Sequence, residues 1–239
     1  MATFVLVQGA WLGGWYWKRV RRLLQEARHE VFTPTLTGLA DRSHLLSRDI
    51  NLDTHITDIT NLILWEELSD VVLCGHSYGG AVITGVADRV PDRIRSLIYL
   101  DAFVLEDGEN VLQHVPADPT RAVIDEFKVP PISPEVFKVN PVDGEWMKRQ
   151  STLHPGGCFW QPIKLTGGIA QIKNVTYILA EGFREESPFP PFYEKAKTKG
   201  WKTVTMTCGH MPMFDQPEKL TQILIEAAGE TLRSTTTAG

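Results

Sequence analysis

The stretch "VVLCGHSYGGAV", Val71 to Val82, constrains the fold more than any other part of the chain. Its first four residues form an unbroken apolar run. That is the pattern of a strand covered on both faces, as in a parallel sheet. Five residues later a helix begins, and between the two lies Gly75-His76-Ser77-Tyr78-Gly79. A G-x-S-x-G between a buried strand and a helix specifies a sharp, strained turn. Its glycines let backbones approach closely, and its serine is thrust out at the carboxyl end of the strand. The helix N-terminus behind it favours negative charge developing there. Ser77 is therefore the candidate nucleophile.

The flanking sequence repeats this alternation. Strands are expected at Thr3–Val7, Glu30–Phe32, Asp70–Cys74, Ser96–Leu100, Val175–Leu179 and Lys202–Met206. Between them, apolar residues recur at helical spacing, as in Val20, Leu23, Leu24 and Ala27, or Ile56, Ile59, Ile63 and Leu64. A helix follows Tyr78. A last one starts near Pro217, a residue suited to a first turn, with Leu220, Ile223, Leu224 and Ala227 on its inner stripe and Gly229 at its end. The tail "STTTAG" is expected to fray. The implied class is α/β, a mostly parallel sheet of about six strands with helices on both faces.

The alternation fails between Leu105 and Leu165, which hold eight of the 15 prolines. Such a segment does not support long helices or central strands, and it is too long for a plain connection. The expected organisation is a core formed by 1–104 and 166–239, with 105–165 inserted as a cap over one end of the sheet.

Composition excludes several classes of partner. With 239 residues, 43% hydrophobic and 22% charged, the chain suits a soluble globular protein. A net charge of -5 argues against nucleic acid and anionic membranes as partners. No apolar run is long enough to span a bilayer. The opening "MATFVLVQG" has no basic n-region, so no signal peptide is read and the cytoplasm is the expected place. Cys74, Cys158 and Cys208 have no paired spacing and are expected as packing residues in a reducing compartment. No cofactor is expected. No metal is expected either, since no cluster has ligand spacing. A homodimer is left open.

On "FVLVQGAWLGGWYW", "GHSYGG", "LIYLDAF" and "CGHMPMFDQPEKL", the chain resembles the α/β-hydrolase family over nearly its whole length. It looks most like the small esterases related to plant methylesterases and hydroxynitrile lyases, and like similar bacterial esterases. The resemblance implies the α/β-hydrolase fold without the first two strands of the larger members. It also implies a serine hydrolase of small, hydrophobic or aromatic carboxylic esters. A serine hydroxyl needs a base. His210, past the sixth strand in "TCGHMPMF", matches the family's base. His76 is expected to shape the turn. His29, His44 and His55 are expected to be structural or exposed, and His114 and His154 to lie in the cap, in solvent or against substrate.

The tetrahedral intermediate needs fixed N–H donors. One is the backbone of Tyr78, and by the family's pattern the other is Ala10, in "QGAWLGGW" after the first strand. Gln8 departs from the relatives' histidine, and its amide is expected to keep that loop hydrogen-bonded. Trp11, Trp146, Phe159 and Trp160 are the expected pocket residues. The lyase relatives carry a lysine after the histidine and a threonine in the first loop. Met211 and Ala10 stand there, which favours hydrolysis. Amide, lactone, carbamate or C–C bond hydrolysis and a non-catalytic receptor stay open.

The acid is the unusual feature. In "TYILAEGF" the position of the family's usual aspartate falls on Phe183. Glu181 stands too early, and Glu185 and Glu186 too late. Some members carry the acid after the preceding strand instead, and "SLIYLDAF" ends in Asp101 at the carboxyl edge of the sheet. Asp101 is therefore assigned as the acid, with Glu181, Glu185, Glu186 or a purely structural Asp101 as alternatives. Asp70 and Asp215 are weaker candidates. Asp215 sits where it would cap a helix.

Overall fold

The computed structural model describes residues 1–115, 127–183 and 187–229. Six parallel strands form the central sheet, in the order β2-β1-β3-β4-β7-β8. They are β1 (Thr3–Val7), β2 (Glu30–Phe32), β3 (Val71–Ser77), β4 (Ile94–Ala102), β7 (Val175–Ala180) and β8 (Lys202–Met206). β1, β2 and β8 match their expected bounds. β3 and β4 run further, because the strand pairing continues through the turn residues at their carboxyl ends. The middle strands are apolar and buried on both faces, as a sheet covered on two sides demands.

Helices α1 (Lys18–Glu26) and α8 (Pro217–Ala227) pack on one another, and α2 (Leu52–Trp65) and α3 (Gly79–Arg89) form a second pair against the sheet. α2 starts on a reciprocal cap. Asn51 Oδ1 accepts from the Thr54 N–H at 3.1 Å, and Thr54 Oγ1 accepts from the Asn51 N–H at 3.3 Å. α8 ends at Gly229, whose φ of 71° suits a residue without a Cβ.

The proline-rich segment holds short elements: an antiparallel pair of β5 (Lys128–Val129) and β6 (His154–Pro155), and the helices α4 (Pro141–Gln150), which lies between those strands in the chain, and α5 (Gly157–Trp160). The ten-residue α4 accommodates its proline at the first position, where no N–H is needed. A further helix, α6 (Pro190–Thr198), rises out of "SPFPPF", which reads from sequence as loop packing, and a one-turn α7 (Pro212–Asp215) precedes α8. Both prolines of α6 sit in the first turn, so they start the helix rather than break it.

The sheet order reverses between β1 and β3, and open α/β sheets place their sites at such switch points. The loop after β1 and the turn after β3 thus lie side by side. Among the described residues no helix is long and apolar enough to cross a membrane.

Candidate active site

Ser77 ends β3 with a φ of 55°, a left-handed conformation rare for a residue with a side chain. The close approach that holds it there needs its glycines. A Cβ on Gly75 would sit 2.4 Å from the Gly79 carbonyl oxygen, and one on Gly79 would sit 2.6 Å from that of Gln8. The turn is thus wedged between the loop after β1 and its own helix, and Ser77 stays partly accessible.

Asp101 lies near the end of β4 with its own positive φ of 43°. The pairing of β3 with β4 steps from His76–Leu100 to Ser77–Ala102, so Asp101 is the extra residue of a bulge. A bulge re-aims a side chain. Here the fully buried carboxylate takes the Ala180 N–H on Oδ1 at 3.1 Å and meets His210 Nδ1 at 2.6 Å through Oδ2. A carboxylate only accepts, so Nδ1 carries the proton and Nε2 keeps its lone pair. Burial drives the His210 pKa down to about 3, which leaves the ring neutral at pH 7 and ready to accept a proton. Burial also raises Asp101, opposed by the Ala180 N–H. The bond from Nδ1–H favours the carboxylate in the same sense.

His210 is fixed on every side. His76 Nε2–H donates to its carbonyl at 2.7 Å, and its N–H donates to the Phe137 carbonyl at 3.0 Å. The neighbouring Gly209 N–H donates to Asp215 at 3.2 Å, so Asp215 braces this loop and stands apart from the ring. Phe137, Phe183 and Phe189 surround the imidazole with centroids 5.0 to 5.1 Å away, Phe189 stacked at 11°. Where the family's usual acid is missing, Phe183 instead packs on the His210 ring. Glu181 is exposed whereas the imidazole is buried, and Glu185 and Glu186 lie outside the described residues. Sequence reasoning missed Phe137, which comes from the inserted segment with no motif around it.

The loop after β1 keeps its shape without a histidine at position 8. Buried Gln8 donates Nε2–H to the Leu12 carbonyl at 3.3 Å, and the Gly9 N–H reaches the Tyr16 hydroxyl at 3.2 Å. Among the described residues, neither the Ala10 nor the Tyr78 N–H donates to another group. Trp11 and Phe159 gather beside Tyr78: the Phe159 ring lies 5.6 Å from that of Tyr78 and 6.2 Å from that of Trp11. The structure does not bring Trp146 and Trp160 to that group. Trp146 is engaged by Trp15 at 4.7 Å and by Phe214, under the Arg19 guanidinium, and Trp160 is 44% exposed.

His55, His154 and Cys158 converge under Tyr78, a cluster that no sequence spacing announces. His55 Nε2–H donates to the Thr37 carbonyl, so its Nδ1 accepts from the Tyr78 hydroxyl at 2.9 Å. His154 is fully buried, not solvated as a lone histidine in the inserted segment is expected to be. Its Nδ1 accepts the Trp11 N–H at 3.1 Å, which places the proton on Nε2 and withdraws that lone pair from any cation. The hydrogen bonds thus fit a polar brace better than a metal centre. All three cysteines are free and buried.

The sequence profile of the alpha/beta hydrolase family matches residues 4–223. The chain belongs to that family. This hydrolase is 41% identical to a carbendazim-hydrolysing esterase from Nocardioides sp. (strain SG-4G), over 94% of this chain and 98% of that one. It is 34% identical to an alpha-hydroxynitrile lyase of Arabidopsis thaliana over 47% of this chain and 43% of the lyase. An extracellular alpha/beta-hydrolase from a Paenibacillus species superposes with a TM-score of 0.82 at 22% identity, covering 95% of this chain and 99% of that one.

Proposed function

We propose that the hydrolase cleaves carboxylic esters of small, hydrophobic or aromatic substrates through an acyl-enzyme on Ser77. The observation that carries this is the buried 2.6 Å bond between Asp101 and His210, in a chain whose Ser77 occupies a strained strand-to-helix turn. His210 Nε2 takes the hydroxyl proton as Ser77 Oγ attacks the ester carbonyl. The Ala10 and Tyr78 N–H groups receive the oxyanion. His210 then protonates the leaving alcohol. Water, deprotonated by the same nitrogen, releases the acid and restores Ser77. Asp101 holds the tautomer and stabilises the imidazolium. Segment 105–165 acts as the cap, and Trp11 and Phe159 supply the apolar wall.

The likeness to a carbendazim-hydrolysing esterase supports an aromatic substrate and makes a carbamate ester the second reading. Ala10 and Met211, where lyase relatives carry threonine and lysine, support hydrolysis over lyase chemistry. The three buried, unbridged thiols support a cytoplasmic location. The test is turnover of a short-chain p-nitrophenyl ester and of carbendazim by the wild type and Ser77→Ala. Ester turnover lost in the variant is the expected result. Tight binding of either compound without turnover would favour the receptor reading.

A further inference from the structure

All three hydrogen-bonding groups of Trp11 are taken by the cap. Its main-chain N–H donates to His154 Nδ1 at 3.1 Å, its indole Nε1–H to the Val129 carbonyl at 3.0 Å, and its carbonyl accepts from the Thr152 N–H at 3.0 Å. Val129 and His154 are directly paired in the antiparallel β5–β6 ladder, so one rung of that ladder grips both ends of the residue. Trp11 is held at a φ of 65°, a conformation that a tryptophan keeps only when its surroundings over-determine it. It directly follows Ala10.

The His154 ring is an odd choice for a mere filler. With Nδ1 accepting from Trp11, the proton on Nε2 is buried, and Nε2 has no hydrogen-bond partner among the described residues. An apolar ring would fill the site without stranding a donor, and a stranded donor is costly. What the imidazole alone supplies here is the acceptor facing Trp11. Occupying the Trp11 N–H fixes the peptide plane that follows Ala10, and with it the backbone on the far side of the residue assigned as the second oxyanion donor.

We propose that His154 is a positioning residue for the oxyanion hole, and that the β5–β6 pair of the cap and the loop after β1 form this hole as one unit. The inference rests on the serine-esterase reading. Its test compares the wild type with His154→Phe, which keeps a ring but no acceptor, and His154→Asn, whose side-chain oxygen can replace Nδ1. Steady-state kinetics on the p-nitrophenyl ester are read beside thermal unfolding. His154→Phe should lose roughly 10- to 100-fold in kcat with KM within about threefold, somewhat less than loss of an oxyanion donor outright. His154→Asn should recover to within about fivefold of the wild type, although it fills the cavity worse. If His154→Phe does not fold, Trp11→Phe, which removes the bond to Val129 together with part of the apolar wall, should lose more in kcat than it gains in KM, and a change confined to KM would overturn the inference.

A Ser77-dependent activity that His154→Phe leaves within about twofold, or an equal loss in both His154 variants at matched stability, overturns the inference alone. Absence of wild-type turnover, or turnover that survives Ser77→Ala, overturns the esterase reading and the inference with it.

Discussion

At the scale of single residues, the proposed catalysis depends on where protons sit. Asp101→Asn would offer an amide to Nδ1 and turn the imidazole to its wrong tautomer. In a triad this costs on the order of 10⁴ in kcat, and steady-state kinetics on a p-nitrophenyl ester should show that loss with the fold retained. The pH profile carries the sign of burial. As the proposed base, His210 works only when neutral, so activity should fall as pH falls through its folded pKa. Burial lowers that value, so the acid limb of kcat/KM should lie below the ordinary histidine value of about 6.5. A limb above that value would contradict the neutral, desolvated base. Ser77 and His210 were legible in the sequence because motif and chain order mark them. Asp101 was legible only as an acid ending an apolar run. The bulge that aims it has no signature in the residues themselves, since it is set by pairing with β3.

At the scale of elements, the strands were readable because both their faces are buried and their apolar runs are unbroken. Helix α6 was not, because its first-turn prolines resemble loop residues until the helix behind them is seen. The segment 105–165 was legible as an interruption but not as a set of contacts. Its Phe137 and His154 act through tertiary placement, Phe137 against the His210 ring and His154 on Trp11. The reciprocal cap on α2 gives a prediction remote from the chemistry. Asn51→Ala should lower unfolding free energy by about 1 kcal/mol in chemical denaturation while leaving kcat unchanged. A larger effect on turnover than on stability would mean that α2 transmits to the site through His55, which it carries to Tyr78.

At the scale of the whole molecule, four fully buried histidines define the acid response. His55, His76, His154 and His210 are all lowered by desolvation, His55 to about 4. Folded, they stay neutral below pH 6.5, whereas the unfolded chain protonates them. Unfolding therefore takes up protons, and stability present above the unfolded value is lost as pH falls. Each contributes roughly 1 kcal/mol of loss between pH 7 and 5.5 by this linkage. Asp101 offsets part of it, since its raised pKa favours the folded state on acidification. A net fall of several kcal/mol is expected, read as a falling Tm across that range, and a flat Tm would contradict the buried neutral set.

The proposed catalysis makes Ser77 a nucleophile activated by His210 and Asp101. The most direct measurement is mass spectrometry of the protein after reaction with a fluorophosphonate, with the modified peptide sequenced. The account predicts one adduct per chain, on Ser77, formed slowly or not at all in His210→Ala. An adduct on any other residue, or none while ester turnover proceeds, would contradict it.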